Sequence, residues 1–251
     1  MKPTYSICIT HRNNRRTLPS SLLSILGQVD DRYEVVVVDG ESTDGSHGIL
    51  RSFAESGKIK LVSVKCTRGE GRQIAFENSE GDYIIANLDM DEVYRPRLDE
   101  VLRIFHANAE DKLLLVAASD SKNEVDLQNI TIASRALIRE IGGWRNLNYG
   151  EDWDLWQRAS KIGRFEWTVF PLIINQNLHP ERRNLIPLLK WRYTIYKESV
   201  RLGRAVFSNE ERVTIAQRGA YVLAKVGALF EEHYPGEKGL SFNPHDARYR
   251  L

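Results

Sequence analysis

Cysteine is scarce in this chain, and its scarcity indicates a cellular compartment. Of 251 residues, only Cys8 and Cys66 are cysteines, and both lie in apolar, strand-like stretches. Two cysteines are too few for the disulfide framework that stabilises small secreted domains. We therefore expect two buried free thiols in a reducing compartment.

Long apolar runs are also missing. No hydrophobic stretch approaches the roughly 20 residues that a membrane-spanning helix needs. The first residues lead directly into a strand pattern and do not resemble the apolar segment of a signal peptide. The sequence therefore predicts a cytoplasmic protein whose membrane contact is peripheral at most.

Neither sign of charge is in large excess. The 35 Lys and Arg residues balance 34 Asp and Glu residues, and the net charge of +1 argues against a protein that binds nucleic acid. The basic residues are unevenly spread, because residues 180–251 contain 13 Lys and Arg against 8 Asp and Glu. A solvated pair of helices explains this basic third, and an anionic membrane surface as its partner is the alternative.

What the chain does contain is a regular alternation of short apolar runs and amphipathic segments. Strand-like runs occupy residues 5–10, 33–39, 60–65 and 83–87, and a helical pattern separates each from the next. This alternation predicts an α/β fold with a mostly parallel central sheet flanked by helices. The glycine-rich stretch 68–72 is predicted as a basic loop before a helix over 72–78.

The second half of the chain has a different order of predicted strands and helices. It is predicted to contain strands over 113–118, 129–133 and 165–174 and helices over 96–108, 135–141 and 151–162. Two further helices, over 185–204 and 210–232, predict a C-terminal helical appendage. We therefore divide the chain into a domain at 1–180, a helical extension at 181–234 and a loosely ordered tail at 235–251.

Two acidic residues directly follow the fourth predicted strand. In an extended chain, residues two apart point the same way, so Asp89 and Asp91 are expected to face one point. Ligands of open α/β sheets bind beyond the carboxyl ends of the strands, and hard divalent cations prefer oxygen ligands. The pattern is therefore typical of a cation site, and equally of a turn that carries two solvated acids.

Four stretches, taken in order, resemble the motifs of a family 2 glycosyltransferase of the GT-A fold, of the inverting and non-processive type. They lie at residues 6–13, 35–45, 88–91 and 142–154, and the resemblance spans about residues 1–180. It implies that residues 1–92 bind a nucleoside-diphosphate sugar and that residues 93–180 bind the acceptor. The implied reaction moves the sugar to an acceptor hydroxyl.

The resemblance also implies which residues contact the donor. Thr10 closes the first strand and resembles a residue near the nucleoside, and Arg12, in the polar loop that follows, is expected to bind the donor as well. Asp39 resembles a carboxylate that accepts hydrogen bonds from the base or ribose. Arg72 resembles a basic residue that meets the base or the diphosphate. Asp89 resembles one that contacts the ribose, or the metal through water. A capping role for Asp39 and a solvated position for Arg72 are the structural alternatives.

Asp91 resembles the residue that ligates Mg²⁺ or Mn²⁺ on the donor diphosphate in this family. His179 lies where some relatives have a histidine that completes the metal site. Imidazole suits Mn²⁺ better than Mg²⁺. A surface position for His179 is the alternative.

Asp152 resembles the catalytic base of the family, which takes the proton from the acceptor hydroxyl. The stretch 150–154 is also expected to begin a helix. The helix dipole stabilises an acid in the first turn by about 0.3–1 kcal/mol. Glu151, Asp152 and Asp154 could therefore serve stability alone.

Two other functions use a similar fold. A sugar-phosphate nucleotidyltransferase would need a glycine-rich phosphate loop after the first strand, and residues 10–14 contain no glycine. A non-catalytic nucleotide-sugar-binding module is the second alternative, and the presence of Asp91 and Asp152 favours an enzyme over it.

The nucleotide, the sugar and the acceptor are not specified by the sequence. The helices after residue 185 are candidates for a dimer surface, a lid or a membrane platform. The aromatic residues Trp191, Tyr193 and Tyr196 lie among basic residues there, which makes the platform an option to test beside the other two.

Overall fold

A seven-stranded sheet organises the protein. The structure is a computed structural model, and it describes residues 2–118, 128–174, 185–203 and 215–234. Within these residues the strands are β1 (Tyr5–His11), β2 (Tyr33–Asp39), β3 (Lys60–Ser63), β4 (Tyr83–Ala86), β5 (Val93–Tyr94), β6 (Leu113–Ala118), β7 (Gln128–Ser134), β8 (Phe165–Phe170) and β9 (Ile173–Ile174).

Helices flank this sheet. In the described part of the chain they are α1 (Leu18–Leu26), α2 (Ser46–Glu55), α3 (Arg68–Glu77), α4 (Leu98–Asn108), α5 (Arg135–Glu140), α6 (Glu151–Lys161), α7 (Leu185–Arg201) and α8 (Ile215–Ala228). None of the helices in the described residues is both long enough and apolar enough to cross a membrane.

The strand order of the large sheet is β3-β2-β1-β4-β7-β6-β8, and β5 pairs with β9 in a small separate sheet. Strands β1 to β4 run parallel, β7 is antiparallel to both of its neighbours, and β6 is parallel to β8. The predicted α/β fold with a mostly parallel sheet is confirmed. Since β1, β2 and β4 run parallel, their carboxyl ends meet at one edge.

Both faces of the sheet are buried, which explains the unbroken β-branched run in β2. Val35 and Val37 contribute to one hydrophobic cluster with α1 and α4, whereas Val36 and Val38 belong to the cluster with α3 and α6. Successive side chains of a strand point to opposite faces, so one strand supplies both cores.

Three boundaries predicted from the sequence are wrong. Helix α3 begins at Arg68, not at Arg72, because Thr67 and Glu70 form a capping box that starts the helix in the predicted loop. Strand β4 ends at Ala86, since Asn87 has a positive φ of 69°. The predicted single strand over 165–174 is two strands, β8 and β9, with Pro171 and Leu172 between them.

The predicted C-terminal helices are present as α7 and α8, which pack against each other. Tyr196 of α7 meets Ala220 and Ala224 of α8 in a small hydrophobic cluster of its own. The tail predicted over 235–251 lies outside the described residues. The division into residues 1–180 and 181–234 stays a prediction.

Two glycines let α3 approach its neighbours. A Cβ on Gly69 would overlap the backbone carbonyl oxygen of Arg145, and a Cβ on Gly71 would lie 2.6 Å from Cγ2 of Thr10. The Gly69 N–H donates to the carbonyl of Leu147 at 2.8 Å. The glycine-rich stretch therefore serves close packing of α3 against β1 and the segment 145–147.

We expect Gly69→Ala to lower the free energy of unfolding by about 1–3 kcal/mol, because the added methyl group must displace backbone. Urea unfolding followed by circular dichroism measures the change. Gly48→Ala is the matched control, since Gly48 lies in α2 with no atom within 4 Å of the added Cβ. This control should raise stability by about 0.4–1 kcal/mol. Equal effects of the two substitutions would contradict the packing argument.

Candidate active site

A cleft of about 260 Å³ opens at the carboxyl ends of β1, β2 and β4. It lies at the sheet edge where ligands of open α/β sheets bind. The residues that line it are Thr10, His11, Arg12, Asn14, Gly40, Cys66, Thr67, Arg68, Arg72, Asp89, Met90, Asp91 and Asn148. Thr10, Arg12, Arg72, Asp89 and Asp91, all predicted from the sequence, thus lie together.

The two carboxylates after β4 reach this cleft from a turn and not from an extended strand. Asn87 adopts a left-handed conformation, and its Nδ2 donates to Oγ1 of Thr131 at 3.0 Å. Further along, Oγ1 of Thr17 donates to the carbonyl of Met90 at 2.6 Å. The expectation that strand alternation aligns Asp89 and Asp91 is therefore wrong, although both line the cleft.

Arg72 is buried at the base of the cleft and joins three elements. Its guanidinium donates to Oδ1 of Asn87 after β4 and to Oδ1 of Asp152 on α6, and it lies 3.3 Å from Oε1 of Glu151. Burial lowers the pKa of Arg72, but Asp152 and Glu151 outweigh it, so the pKa is raised. Arg72 therefore stays charged beside Asp152.

The three acids in the first turn of α6 have different surroundings. Asp154 is fully buried and accepts from Arg145 and Arg158, each at 2.8 Å. Glu151 is buried with Arg72, and its Oε1 lies 3.8 Å from Nε of Arg68. Asp154 therefore stabilises the fold. Asp152 and Glu151 instead face the guanidinium of Arg72, which lines the cleft.

Asp152 is the acid of this group with access to solvent, since 18% of its side chain is exposed. Its Oδ1 also accepts from the indole Nε1 of Trp144 at 3.3 Å. Within the described residues its Oδ2 accepts no hydrogen bond. Burial raises the pKa of Asp152 to about 7; Arg72 opposes this shift and Glu151 adds to it. Such a carboxylate can exchange a proton near neutral pH.

Asp39 lies at the end of β2, behind Gly40, and is fully buried. Its carboxylate accepts from Oγ of Ser42 at 2.5 Å and lies 2.9 Å from Nδ1 of His47. The carboxylate of Asp39 thus stabilises the turn that follows β2. At this point the cleft is lined by Gly40. The prediction that Asp39 contacts a nucleoside stays a prediction.

His11 was not among the residues predicted from the sequence. It ends β1 beside Thr10, and within the described residues both of its ring nitrogens and Oγ1 of Thr10 lack hydrogen-bond partners. Burial lowers the pKa of His11, and the carboxylates of Asp39 and Asp44 offset this in part. Its position directly after Thr10, at the end of an apolar strand, is the sequence feature that could have indicated it as a site residue.

Asp89 and Asp91 are the acids that could hold a divalent cation here. In the part of the chain that the structure describes, no group of three or more His, Cys, Asp or Glu side chains is arranged to hold a metal. His179, predicted as a further ligand, lies outside the described residues. Two carboxylates that face a cleft can supply part of the oxygen ligands of a divalent cation. A bound ligand would supply the remaining oxygen ligands.

Comparison with known sequences identifies relatives. Residues 6–166 match the family Glycosyl transferase family 2. An undecaprenyl-phosphate 4-deoxy-4-formamido-L-arabinose transferase of Sodalis glossinidius is 30% identical over 155 residues, which are 58% of this chain and 46% of that protein. A homologue of the same name from Pseudomonas syringae is 38% identical over 93 residues, covering 34% of this chain and 27% of that protein. The chain thus spans less than half of these relatives.

Solved structures share the fold. The Staphylococcus aureus TarS 1-349 complex with UDP-GlcNAc superposes with a TM-score of 0.61 at 15% identity, covering 89% of this chain and 79% of that one. The mannosyltransferase PcManGT of Pyrobaculum calidifontis, in complex with GDP-Man and Mn²⁺, gives 0.59 at 18% identity, covering 90% and 74%. The GT-A fold inferred from the sequence motifs is confirmed.

Asp154→Asn should lower the free energy of unfolding by about 3–5 kcal/mol, because it removes the carboxylate that compensates the buried Arg158. Urea unfolding measures the loss. Asp111→Asn, at an exposed position, is the matched control and should change stability by less than about 0.5 kcal/mol. A small loss for Asp154→Asn would show that the contact with Arg158 is not required for folding.

Proposed function

Because this chain belongs to glycosyl transferase family 2, we propose that it transfers a sugar from a nucleoside-diphosphate sugar to a hydroxyl group of an acceptor. The observation that carries the proposal is the meeting of Asp89, Asp91 and Arg72 in one cleft, with Asp152 bonded to Arg72. The complexes of two structural relatives with UDP-GlcNAc and with GDP-Man support a donor of this class.

The donor's nucleoside is assigned to the end of β1. Oγ1 of Thr10 and the ring nitrogens of His11 are buried polar atoms that a base or ribose can pair with. The exposed guanidinium of Arg12 lies on the same cleft and suits the diphosphate. Asp39 is fully buried behind Gly40, and its carboxylate is engaged with Ser42 and His47, so we assign it the support of the turn after β2 and not a direct contact with the ribose or base.

A divalent cation is proposed to bind the donor diphosphate at Asp89 and Asp91. Both carboxylates line the cleft, and carboxylate and phosphate oxygens are the ligands that Mg²⁺ and Mn²⁺ accept. When bound, the cation neutralises charge on the leaving diphosphate. The structural relative in complex with GDP-Man and Mn²⁺ supports this assignment.

Asp152 is proposed as the base of a single inverting displacement. The acceptor oxygen bonds to the anomeric carbon while the bond from that carbon to the diphosphate breaks, and the nucleoside diphosphate leaves with the electron pair. Oδ2 of Asp152, which accepts no hydrogen bond within the described residues, takes the proton of the acceptor hydroxyl. Arg72 and Trp144 fix the carboxylate through Oδ1, so its free oxygen is held in one direction.

Asp152→Asn should lower kcat by about 10²–10⁴-fold while the affinity for donor stays within twofold, because an amide cannot accept the proton. Steady-state transfer assays and calorimetric titration of donor measure the two quantities. In the wild type, kcat/KM should fall as the pH drops below about 7, since the base of the free enzyme is then protonated.

The variant is expected to fold, because Glu151 still compensates the buried Arg72. Asp111→Asn serves as the matched control and should transfer sugar at the wild-type rate. An Asp152→Asn enzyme with normal kcat would show that another group accepts the proton.

The donor site is tested by the melting temperature of the protein with a panel of nucleoside diphosphates, each with and without Mn²⁺. One nucleotide at 100 times its Kd should add about 2.7 kcal/mol of stability. We expect the shift to require Mn²⁺ and to be lost in Asp91→Ala. The exposed substitution Asp111→Ala should retain it.

A nucleotide shift that persists without Mn²⁺ and in Asp91→Ala would contradict the metal assignment and leave the donor site standing. No shift with any nucleotide would count against the proposed donor. A normal shift without transfer to any acceptor tested would favour a non-catalytic nucleotide-sugar-binding module.

A further inference from the structure

Helix α8 exposes its large apolar side chains and buries its small ones. Ala220, Ala224 and Ala228 face the protein and are buried. The opposite side carries five large apolar residues that are 51–85% exposed, at spacings of one, three and four residues. This set, called the apolar stripe below, consists of Val222, Leu223, Val226, Leu229 and Phe230, on α8 and the turn that follows it.

This arrangement is the reverse of an ordinary surface helix. Such a helix turns its large apolar residues toward the core and its polar residues outward. The contact of α8 with α7 is already complete without the stripe, because the hydroxyl of Tyr193 lies close to Gly227 and Tyr196 packs on Ala220 and Ala224. The apolar stripe is therefore available for an apolar partner outside the described part of the chain.

Basic side chains border the stripe along one side. Arg218 and Lys225, both exposed, lie along this flank of α8. Within the described residues, no carboxylate pairs with either cation. Two acids that follow α8 are engaged elsewhere, since Glu231 pairs with Lys197 and Arg201, and Glu232 accepts from Tyr234.

We propose that α8 binds the surface of an anionic phospholipid bilayer, with the apolar stripe inserted among the acyl chains and the flanking cations on the headgroups. Helices that lie in a membrane interface combine an apolar face with Lys and Arg at its border. A second copy of the chain is the other apolar partner to be tested, and a two-fold contact that runs the two α8 helices antiparallel would place the cationic flanks of both copies on the same side.

The structure corrects the sequence-based version of this idea. That version assigned the platform to Trp191, Tyr193 and Tyr196 of α7. Tyr196 is buried against α8, and Tyr193 is partly buried in the same contact. The proposed membrane surface therefore lies on α8.

The proposal is tested by sedimentation of the full chain with vesicles, without nucleotide, so that the result does not depend on sugar transfer. The vesicles are phosphatidylcholine alone or phosphatidylcholine mixed with phosphatidylglycerol. The wild type should sediment with the mixed vesicles and more weakly with phosphatidylcholine. The double substitution Leu223→Gln and Phe230→Gln should weaken binding at least tenfold.

Charge and apolar contributions are separated by further variants. Arg218→Gln should weaken binding to the mixed vesicles by roughly fivefold and leave binding to phosphatidylcholine unchanged. Leu23→Gln is the matched control, because Leu23 is 53% exposed on α1, far along the chain from the stripe. It should bind as the wild type does. Melting temperatures check that every variant is folded.

Three results would overturn the proposal. The first is a folded wild type that sediments with neither vesicle, and the second is an equal loss of binding in Leu23→Gln and in the double variant. The third is a concentration-dependent dimer, seen by analytical ultracentrifugation, that the double variant converts to a monomer while vesicle binding is unchanged. That last result would make a second copy of the chain the partner of the stripe.

Discussion

The buried guanidinium of Arg72 is the contact on which the arrangement of the cleft depends. Arg72 lies on α3, and its guanidinium donates hydrogen bonds to Asn87 at the end of β4 and to Asp152 on α6. A charge taken out of water needs compensation, and Glu151 and Asp152 provide it. These hydrogen bonds fix the position of the segment with the candidate metal ligands relative to the helix with the candidate base. A single buried cation thus couples α3 and the end of β4 to α6.

Much of the fold follows from periodicity. The β-branched run in β2 predicts a strand buried on both faces, and the alternation of strands with helices predicts the parallel order of β1, β2 and β4. The start of α3 was missed because glycine is a weak helix former, so residues 68–72 resemble a loop. Thr67 and Glu70 cap the helix there, and the glycines are required by neighbours distant in sequence. Such long-range contacts leave no local signal.

The candidate site was predictable where a motif marks a strand end. Thr10, Arg12, Asp89 and Asp91 lie on the cleft as expected. The reason expected for the two acids was wrong, because the left-handed Asn87 and the bond from Thr17 to Met90, and not strand alternation, place them. The distinct environments of Asp152 and Asp154 could not be separated from the sequence either. Their difference depends on Arg145, Arg158 and Arg72, which tertiary folding brings to them.

The segment 145–148 has a consequence for where the working unit of this protein ends. It lines the cleft with Asn148, whose backbone N–H donates to the buried Glu198 of α7 at 3.2 Å. Arg145 stacks on Tyr234 beyond α8, and Arg201 lies over the same ring. The family match ends at residue 166, yet one wall of the cleft is anchored beyond it. A fragment that stops at the end of the family match would therefore lack the contacts that Glu198 and Tyr234 make with this wall.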